Sequence, residues 1–292
     1  MTPILELSDV SLKPYNSLQL EAKAACLAMP LDQASFITLL RDNAHKKLII
    51  LGKGSNILLA KEYYDESYLF IVTTLMNKLE IINNEMVLEA GVSLSELAWF
   101  TVAQSILGYE FTEDIPGTIG GALIMNAGQY EYTIGQTVNW IDVYCLDTNE
   151  VRRIKPSSDF FLYRHSHFLP TEVILSCGLA ITLGNDLESL EKVLTYKRER
   201  YRKQPRNYPN AGSVFKRPTK NNESLFVWKL FEELGLRGYR INDAEISYKH
   251  PGFIINLGQA KIEDVLKLIQ HCQTCVKERY DVDLQLEWRI ID

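Results

Sequence analysis

The chain has 292 residues, 46% hydrophobic and 23% charged, with a formal net charge of −6. That length allows two domains and the composition is that of an ordinary globular enzyme; the acidic balance argues against a general nucleic-acid binder, and no apolar run is long enough for a membrane span. Cys26, Cys145, Cys177, Cys272 and Cys275 are odd in number and scattered, as for free thiols in a reducing compartment, and the acidic N-terminus lacks the basic region of a signal peptide, so a cytoplasmic protein is expected.

In chain order, Leu31-Asp32-Gln33-Ala34-Ser35 predicts a helix start, with Phe36, Leu39 and Leu40 on its apolar face. Residues 47–51 are β-like and run into Gly52-Lys53-Gly54-Ser55-Asn56; a strand at 57–59 follows, then another at 70–72. Residues 79–82 and 86–88 predict a hairpin around Asn83-Asn84. Ser93-Leu94-Ser95-Glu96 predicts a reciprocally capped helix start, and Gly108 a stop.

The glycine-rich stretch at 115–128 reads IPGTIGGALIMNAG. Glycine allows positive φ and close approach of backbone to another group, and backbone N–H groups without side chains in the way form a concave anion site. A tight connection between two strands is the alternative. The similar stretch at 51–56 favours a surface for a pyrophosphate or a flat cofactor.

Beyond it, residues 140–146 and 151–154 read as paired strands, and 173–176 and 179–183 as further β. Asp186 is expected to cap a long helix with Leu187, Leu190 and Leu194 on one face, broken at Gln204-Pro205. The basic residues near its end interleave with Glu191 and Glu199, as on a solvated face. Residues 225–234 predict an amphipathic helix, 252–257 a short strand, and Ile262, Val265, Leu266, Ile269, Cys272 and Val276 a helical stripe. Cys272 and Cys275 lie inside that helix, with no second ligand pair for a metal. Leu284, Leu286, Trp288 and Ile290 alternate with Gln285, Glu287 and Arg289 as in a final strand.

Three spots offer chemistry. Arg164, in Tyr163-Arg164-His165-Ser166-His167-Phe168, could grip a carboxylate with two prongs; an exposed loop is the alternative. Ser213 follows Ala211-Gly212 on a turn that would expose its hydroxyl, or merely caps that turn. Glu287 stands on the polar face of the last strand, free for a site or paired with Arg289. There is no G-x-G-x-x-G after the first strand and no phosphate loop of the G-x-x-x-x-G-K-[ST] type. Hydride chemistry would therefore need a flavin held by other backbone loops.

Taken together and in order, these motifs resemble the UDP-N-acetylenolpyruvoylglucosamine reductase family. Residues 11–16 are similar to its opening segment, 51–56 and 108–128 to its two flavin-binding loops, and 162–168 to its Tyr-Arg-x-Ser-x-Phe segment. Residues 210–218 resemble its catalytic-serine segment, and 247–256 and 284–291 its C-terminal domain. The short path to Ser213 resembles the branch that lacks an inserted tyrosine loop. Departures include Asn242-Asp243 where a glycine pair is usual, Asp114 where glycine is common, and His250-Pro251-Gly252-Phe253 in place of His-Ala-Asn-Phe.

The resemblance implies an α+β chain. An FAD-binding domain of the vanillyl-alcohol-oxidase type would cover residues 1–204, its two α+β subdomains splitting near 75–85. A small α/β substrate-binding domain would cover 205–292. It implies non-covalent FAD held by Gly52, Lys53, Gly54, Ser55 and Asn56, and by Ile115, Pro116, Gly117, Thr118, Gly120, Gly121, Ala122, Asn126, Ala127 and Gly128. NADPH would be the electron donor and a UDP-sugar, UDP-N-acetylglucosamine enolpyruvate, the substrate. Arg164, Ser213 and Glu287 would be catalytic, and Tyr163, Lys216 and His250 would contact substrate. No metal, nucleic acid or membrane is implied, and the chain would be a monomer serving cell-wall synthesis. The alternatives are a flavoenzyme acting on another sugar or alcohol, and a non-catalytic binder of flavin or a nucleotide sugar.

Overall fold

The computed structural model describes Pro3 to Asp292. The chain forms two compact units: residues 1–8, 26–53 and 66–200 make the first, and 9–25, 54–65 and 201–292 the second.

The first unit is built on two main sheets. One runs in the order Ile4–Ser11, Lys23–Pro30, Tyr68–Val72, Lys47–Leu51, with Ile49 and Leu27 both in parallel register with Phe70. Helix α1 (Gln33–Asp42) packs Phe36, Leu39 and Leu40 into its core as expected, and its capping box pairs Asp32 with Ser35. The alanine-rich strand Lys23–Pro30 has no β-branched residue to announce it. The other sheet is antiparallel, in the order Glu150–Ile154, Val138–Cys145, Glu172–Leu179, Glu85–Glu89, Leu79–Ile82. The predicted hairpin is present, with Asn83 (φ 50°) and Asn84 (φ 63°) both left-handed, as its tight turn requires. Glu172–Leu179 is one continuous strand, buried along its whole length. Of the second β segment expected at 179–183, Leu179 ends that strand and Leu183 keeps a bridge to Ile106.

Helix α2 (Leu94–Ala103) begins at Ser93, whose hydroxyl accepts from Glu96 N. It ends five residues before Gly108. Ser105 takes the left-handed φ of 56°, Ile106 N donates to Thr101 O at 2.8 Å, and Ser105 N donates to Val102 O at 3.1 Å. That is a helix C-terminus of the glycine type built on a serine, with Ile106 buried to hold it.

Helix α3 (Ile119–Met125) occupies the centre of the glycine-rich stretch. Helix α4 (Asp186–Lys203) stops before Gln204-Pro205. Leu187 N donates to Asn185 Oδ1 at 2.9 Å; the cap expected of the Asp186 side chain lies outside the described residues.

The second unit holds an antiparallel sheet in the order Asn210–Ser213, Phe253–Asn256, Ala244–Ile246, Arg240–Ile241. Helices α5 (Val227–Glu233) and α6 (Ile262–Tyr280) belong to it. The predicted stripe of α6 is buried at Ile262, Val265, Ile269, Cys272 and Val276, with Leu268 added. Leu18, Leu20 and Leu58 from the first quarter of the chain share this core. The last strand is not continuous. A bridge joins Leu286 to Phe215, a bend follows, and only Arg289–Ile291 is strand, parallel to Ile57–Leu59. Burial alternates through Leu284 and Trp288, then fails at Ile290, which is exposed.

Two of the family departures have a backbone explanation. Asp114 (φ 64°) and Asn242 (φ 49°) both sit in the left-handed region, where glycine is free and Asn or Asp is the least costly replacement.

Candidate active site

In the first unit the segment 112–120 is laced to the turn at residues 90–94. Leu94 N donates to Gly117 O at 3.2 Å, Ile119 N to Val92 O at 2.8 Å and Gly120 N to Ala90 O at 2.8 Å. Gly52 packs against Thr118 so closely that a Cβ there would lie 2.2 Å from Thr118 Oγ1. Gly121 is the reverse case: it is exposed, and a Cβ would meet only Thr118 Oγ1, at 3.8 Å. Ile115, Gly117 and Gly120 are half-buried and Pro116 and Lys53 exposed. Glycine thus serves two needs, close internal packing at 52 and 120 and bare outward backbone at 121. A flat anionic cofactor fits the second.

Arg164 is the second residue of a two-residue turn between strands Phe161–Leu162 and His165–Ser166. Its φ of 51° is left-handed for a residue with a long side chain, a strain that persists only where surroundings hold it. The surroundings are α3 and its cap. Ser166 Oγ donates to Ile124 O at 2.7 Å. Asn126, itself at φ 42°, donates its amide to Leu162 O at 2.9 Å and accepts from Gly135 N at 3.1 Å. The Asn126 side chain is therefore engaged at both ends in holding the hairpin. Arg164 donates to Gly128 O at 3.1 Å and lies 5.4 Å from the ring of exposed Tyr163. The glycine-rich segment and the arginine hairpin are brought together within one unit; Ala122 is buried beneath them and Ala127 half-buried.

In the second unit Gly212 (φ 77°) breaks the register between Asn210–Ser213 and Phe253–Asn256. A β-bulge of this kind re-aims the next side chain. The turn is stapled by Asn210, whose Oδ1 accepts from Gly212 N at 3.1 Å and whose amide donates to Pro205 O and Tyr208 O. Half-buried Ser213 has no hydrogen-bond partner for its hydroxyl among the described residues, so it is not the cap of the turn. Sequence reasoning missed Asn210; an Asn two residues before a glycine is the signal that was available.

The strand then passes between two neighbours. Val214 N donates to Gly252 O at 3.0 Å on one side; on the other Glu287 N donates to Val214 O at 2.8 Å and Lys216 N to Gln285 O at 2.9 Å. Ser213 and Glu287, 74 positions apart in the chain, thus flank one peptide pair. Asn56 fixes the bend at Glu287: its amide donates to Glu287 O at 3.0 Å, and its carbonyl accepts from Arg289 N at 3.0 Å. Gly54 (φ 60°) packs on Tyr15 O, which a Cβ would meet at 2.0 Å, and Ser55 is half-buried beside it.

His250 Nδ1 accepts from Gly252 N at 3.1 Å, so the proton of the neutral ring is on Nε2. Burial, with the charge of Arg237 added, holds its pKa below the ordinary histidine value. Arg164 belongs to the first unit, Ser213, Lys216, His250 and Glu287 to the second.

Residues 204–291 match the family described as UDP-N-acetylenolpyruvoylglucosamine reductase, C-terminal domain, and residues 24–154 match the FAD binding domain family. The chain is 38% identical over 280 residues to the UDP-N-acetylenolpyruvoylglucosamine reductase of Thermotoga maritima, covering 94% of this chain and 95% of that one. It is 34% identical over 285 residues to that of Francisella tularensis, covering 97% and 99%. The crystal structure of the reductase from Thermus caldophilus superposes with a TM-score of 0.82 at 26% identity, over 100% of both chains.

Proposed function

The chain belongs to the UDP-N-acetylenolpyruvoylglucosamine reductase family, and on that premise we propose that it reduces the enolpyruvyl group of UDP-N-acetylglucosamine enolpyruvate with NADPH, giving UDP-N-acetylmuramate for peptidoglycan synthesis. It is an FAD-dependent oxidoreductase. Residues 1–204 serve as the FAD-binding domain, in two subdomains divided near 75–85, and 205–292 as the substrate-binding domain, with 9–25 and 54–65 packed in the same unit as the latter. Among the described residues no helix is long and apolar enough to cross a membrane. The protein works as a cytoplasmic monomer on a small UDP-sugar, without nucleic acid.

Flavin, when bound, supplies the hydride taken from NADPH. It would be held by Gly52, Lys53, Gly54, Ser55 and Asn56 and along Ile115, Pro116, Gly117, Thr118, Gly120, Gly121, Ala122, Asn126, Ala127 and Gly128, the Asn56 and Asn126 side chains acting through the bonds described above. Arg164 binds the enolpyruvyl carboxylate through its planar guanidinium. Negative charge grows on that carboxylate as the neighbouring double bond is reduced, and a fixed cation there lowers the barrier. Glu287 polarises the same carboxylate. Ser213 Oγ donates a proton to the carbon that bears the charge. Its hydroxyl has no competing acceptor among the described residues, which leaves the proton free for substrate. His250 Nε2–H and Lys216 supply donors to the nucleotide end, and Tyr163 lines the arginine.

The observation that supports this reading is the 2.8 Å bond from Glu287 N to Val214 O, which ties the glutamate's backbone to the residue that follows the serine. Steady-state oxidation of NADPH, with and without the enolpyruvyl sugar, tests it. Oxidation should depend on the sugar, and acid should release FAD from the protein. A colourless protein that FAD does not reconstitute would end the reading.

A further inference from the structure

The approach to the glycine-rich segment is acidic in this chain and is gripped by one face of α4. Glu110 lies at the start of the grip, where its carboxylate accepts from Ser189 Oγ at 2.9 Å and from Gly108 N at 3.0 Å. Lys197 Nζ then reaches Glu113 Oε1 at 2.7 Å, and Arg200 Nε lies 3.6 Å from Asp114 Oδ2. Ser189, Lys197 and Arg200 are spaced so that one side of a helix meets residues 110, 113 and 114 in turn. Glu113 is 1% exposed, and its second oxygen is buried without a partner.

Burying the Glu113 carboxylate is a poor route to stability, because desolvation offsets most of its attraction to Lys197, which is itself half exposed. Asp114 adds conformational strain at φ 64°, which a glycine would not carry. Both costs fall on the two residues that immediately precede Ile115-Pro116-Gly117. Asp114 is also tied to the start of α2, its N–H donating to Ser95 Oγ at 3.3 Å. Arg200 reaches the other end of the segment too, donating to Gln129 Oε1 at 3.3 Å.

We propose that Glu113 and Asp114 are positioning residues, clamped by Lys197 and Arg200 so that the glycine-rich backbone holds its shape before flavin binds. The inference rests on the flavin role proposed above. Its signature is a loss of FAD affinity that persists in the double variant, where neutral groups replace both partners at little cost in stability.

The test uses the full chain stripped of flavin. FAD binding is titrated by quenching of flavin fluorescence, and amide hydrogen exchange is followed over residues 115–128. Glu113→Gln and Lys197→Met should each raise the FAD Kd about ten- to hundredfold, as expected for a lost charged hydrogen bond. Exchange in 115–128 should quicken; Lys197→Met, which strands the buried Glu113 carboxylate, should also lower the midpoint of thermal unfolding, whereas Glu113→Gln combined with Lys197→Met should leave it near that of the parent. The double variant should be no weaker than the weaker single one, because both changes break one contact. If a charge variant fails to fold, Gln129→Ala gives the answer without stranding a buried ion, with an expected rise of roughly threefold. Parent-like affinity in folded variants, beside a parent that binds FAD, would overturn the clamp and leave the flavin reading intact. A parent that binds no FAD would instead remove the flavin reading itself.

Discussion

Replacing Ser213 by alanine separates its chemistry from its place in the turn. The turn is held by Asn210, and the serine hydroxyl has no partner among the described residues. Its removal therefore breaks no internal hydrogen bond and should cost less than about 0.5 kcal/mol of stability, as for a surface-like substitution. A proton donor at carbon contributes roughly 10²–10⁴-fold in rate, or about 2.7–5.4 kcal/mol of barrier. The effect on turnover should exceed the effect on stability several-fold. Stopped-flow absorbance at the flavin band resolves the two halves of the cycle. Ser213→Ala should be reduced by NADPH at the parental rate and then stall on mixing with the enolpyruvyl sugar, whereas Ser213→Cys should retain part of the second rate because a thiol also donates. Reoxidation of the alanine variant at the parental rate would refute the assignment.

Other outcomes are open to measurement. Arg164→Lys keeps the charge and loses the two-pronged geometry; sugar-dependent turnover should fall roughly ten- to hundredfold while reduction by NADPH persists, and unchanged turnover would exclude the arginine. Gly52→Ala would drive a Cβ to 2.2 Å from Thr118 Oγ1, so chemical denaturation should register a loss of about 1–3 kcal/mol. Adding Thr118→Ala should recover part of that loss; no recovery would show that the crowding lies elsewhere. His250 has a folded pKa lowered by burial and by Arg237, so the unfolded chain binds the proton more readily. That contribution to stability is complete above about pH 6.5 and is lost as pH falls through the folded value. His250→Gln should flatten the acid limb of a stability–pH curve measured by urea denaturation, and an unaltered limb would assign it to other groups.

Local elements were legible where one physical signal dominated. Asp32 and Ser35 announce the start of α1, Asn83-Asn84 the hairpin, and the apolar stripe from Ile262 to Val276 the helix α6, because caps, left-handed turns and helical periodicity are set by neighbours in the chain. The order of motifs was likewise sufficient for the family. Long-range packing decided the rest. Strict alternation from Leu284 to Ile290 reads as one strand, yet the chain bends at Glu287 because Val214 and Asn56, both distant in sequence, take its backbone groups. Ser105, not Gly108, ends α2, since burial of Ile106 stabilises a left-handed serine. Asn126 stands in a glycine run expected to hold cofactor, and nothing local shows that its side chain is engaged at both ends, by Leu162 O and Gly135 N. Residue type and spacing by themselves determined which groups this chain has for chemistry. Which of them stand together, and which are consumed in holding others, depended on backbone hydrogen bonds between segments far apart in sequence, whose partners no local pattern specifies.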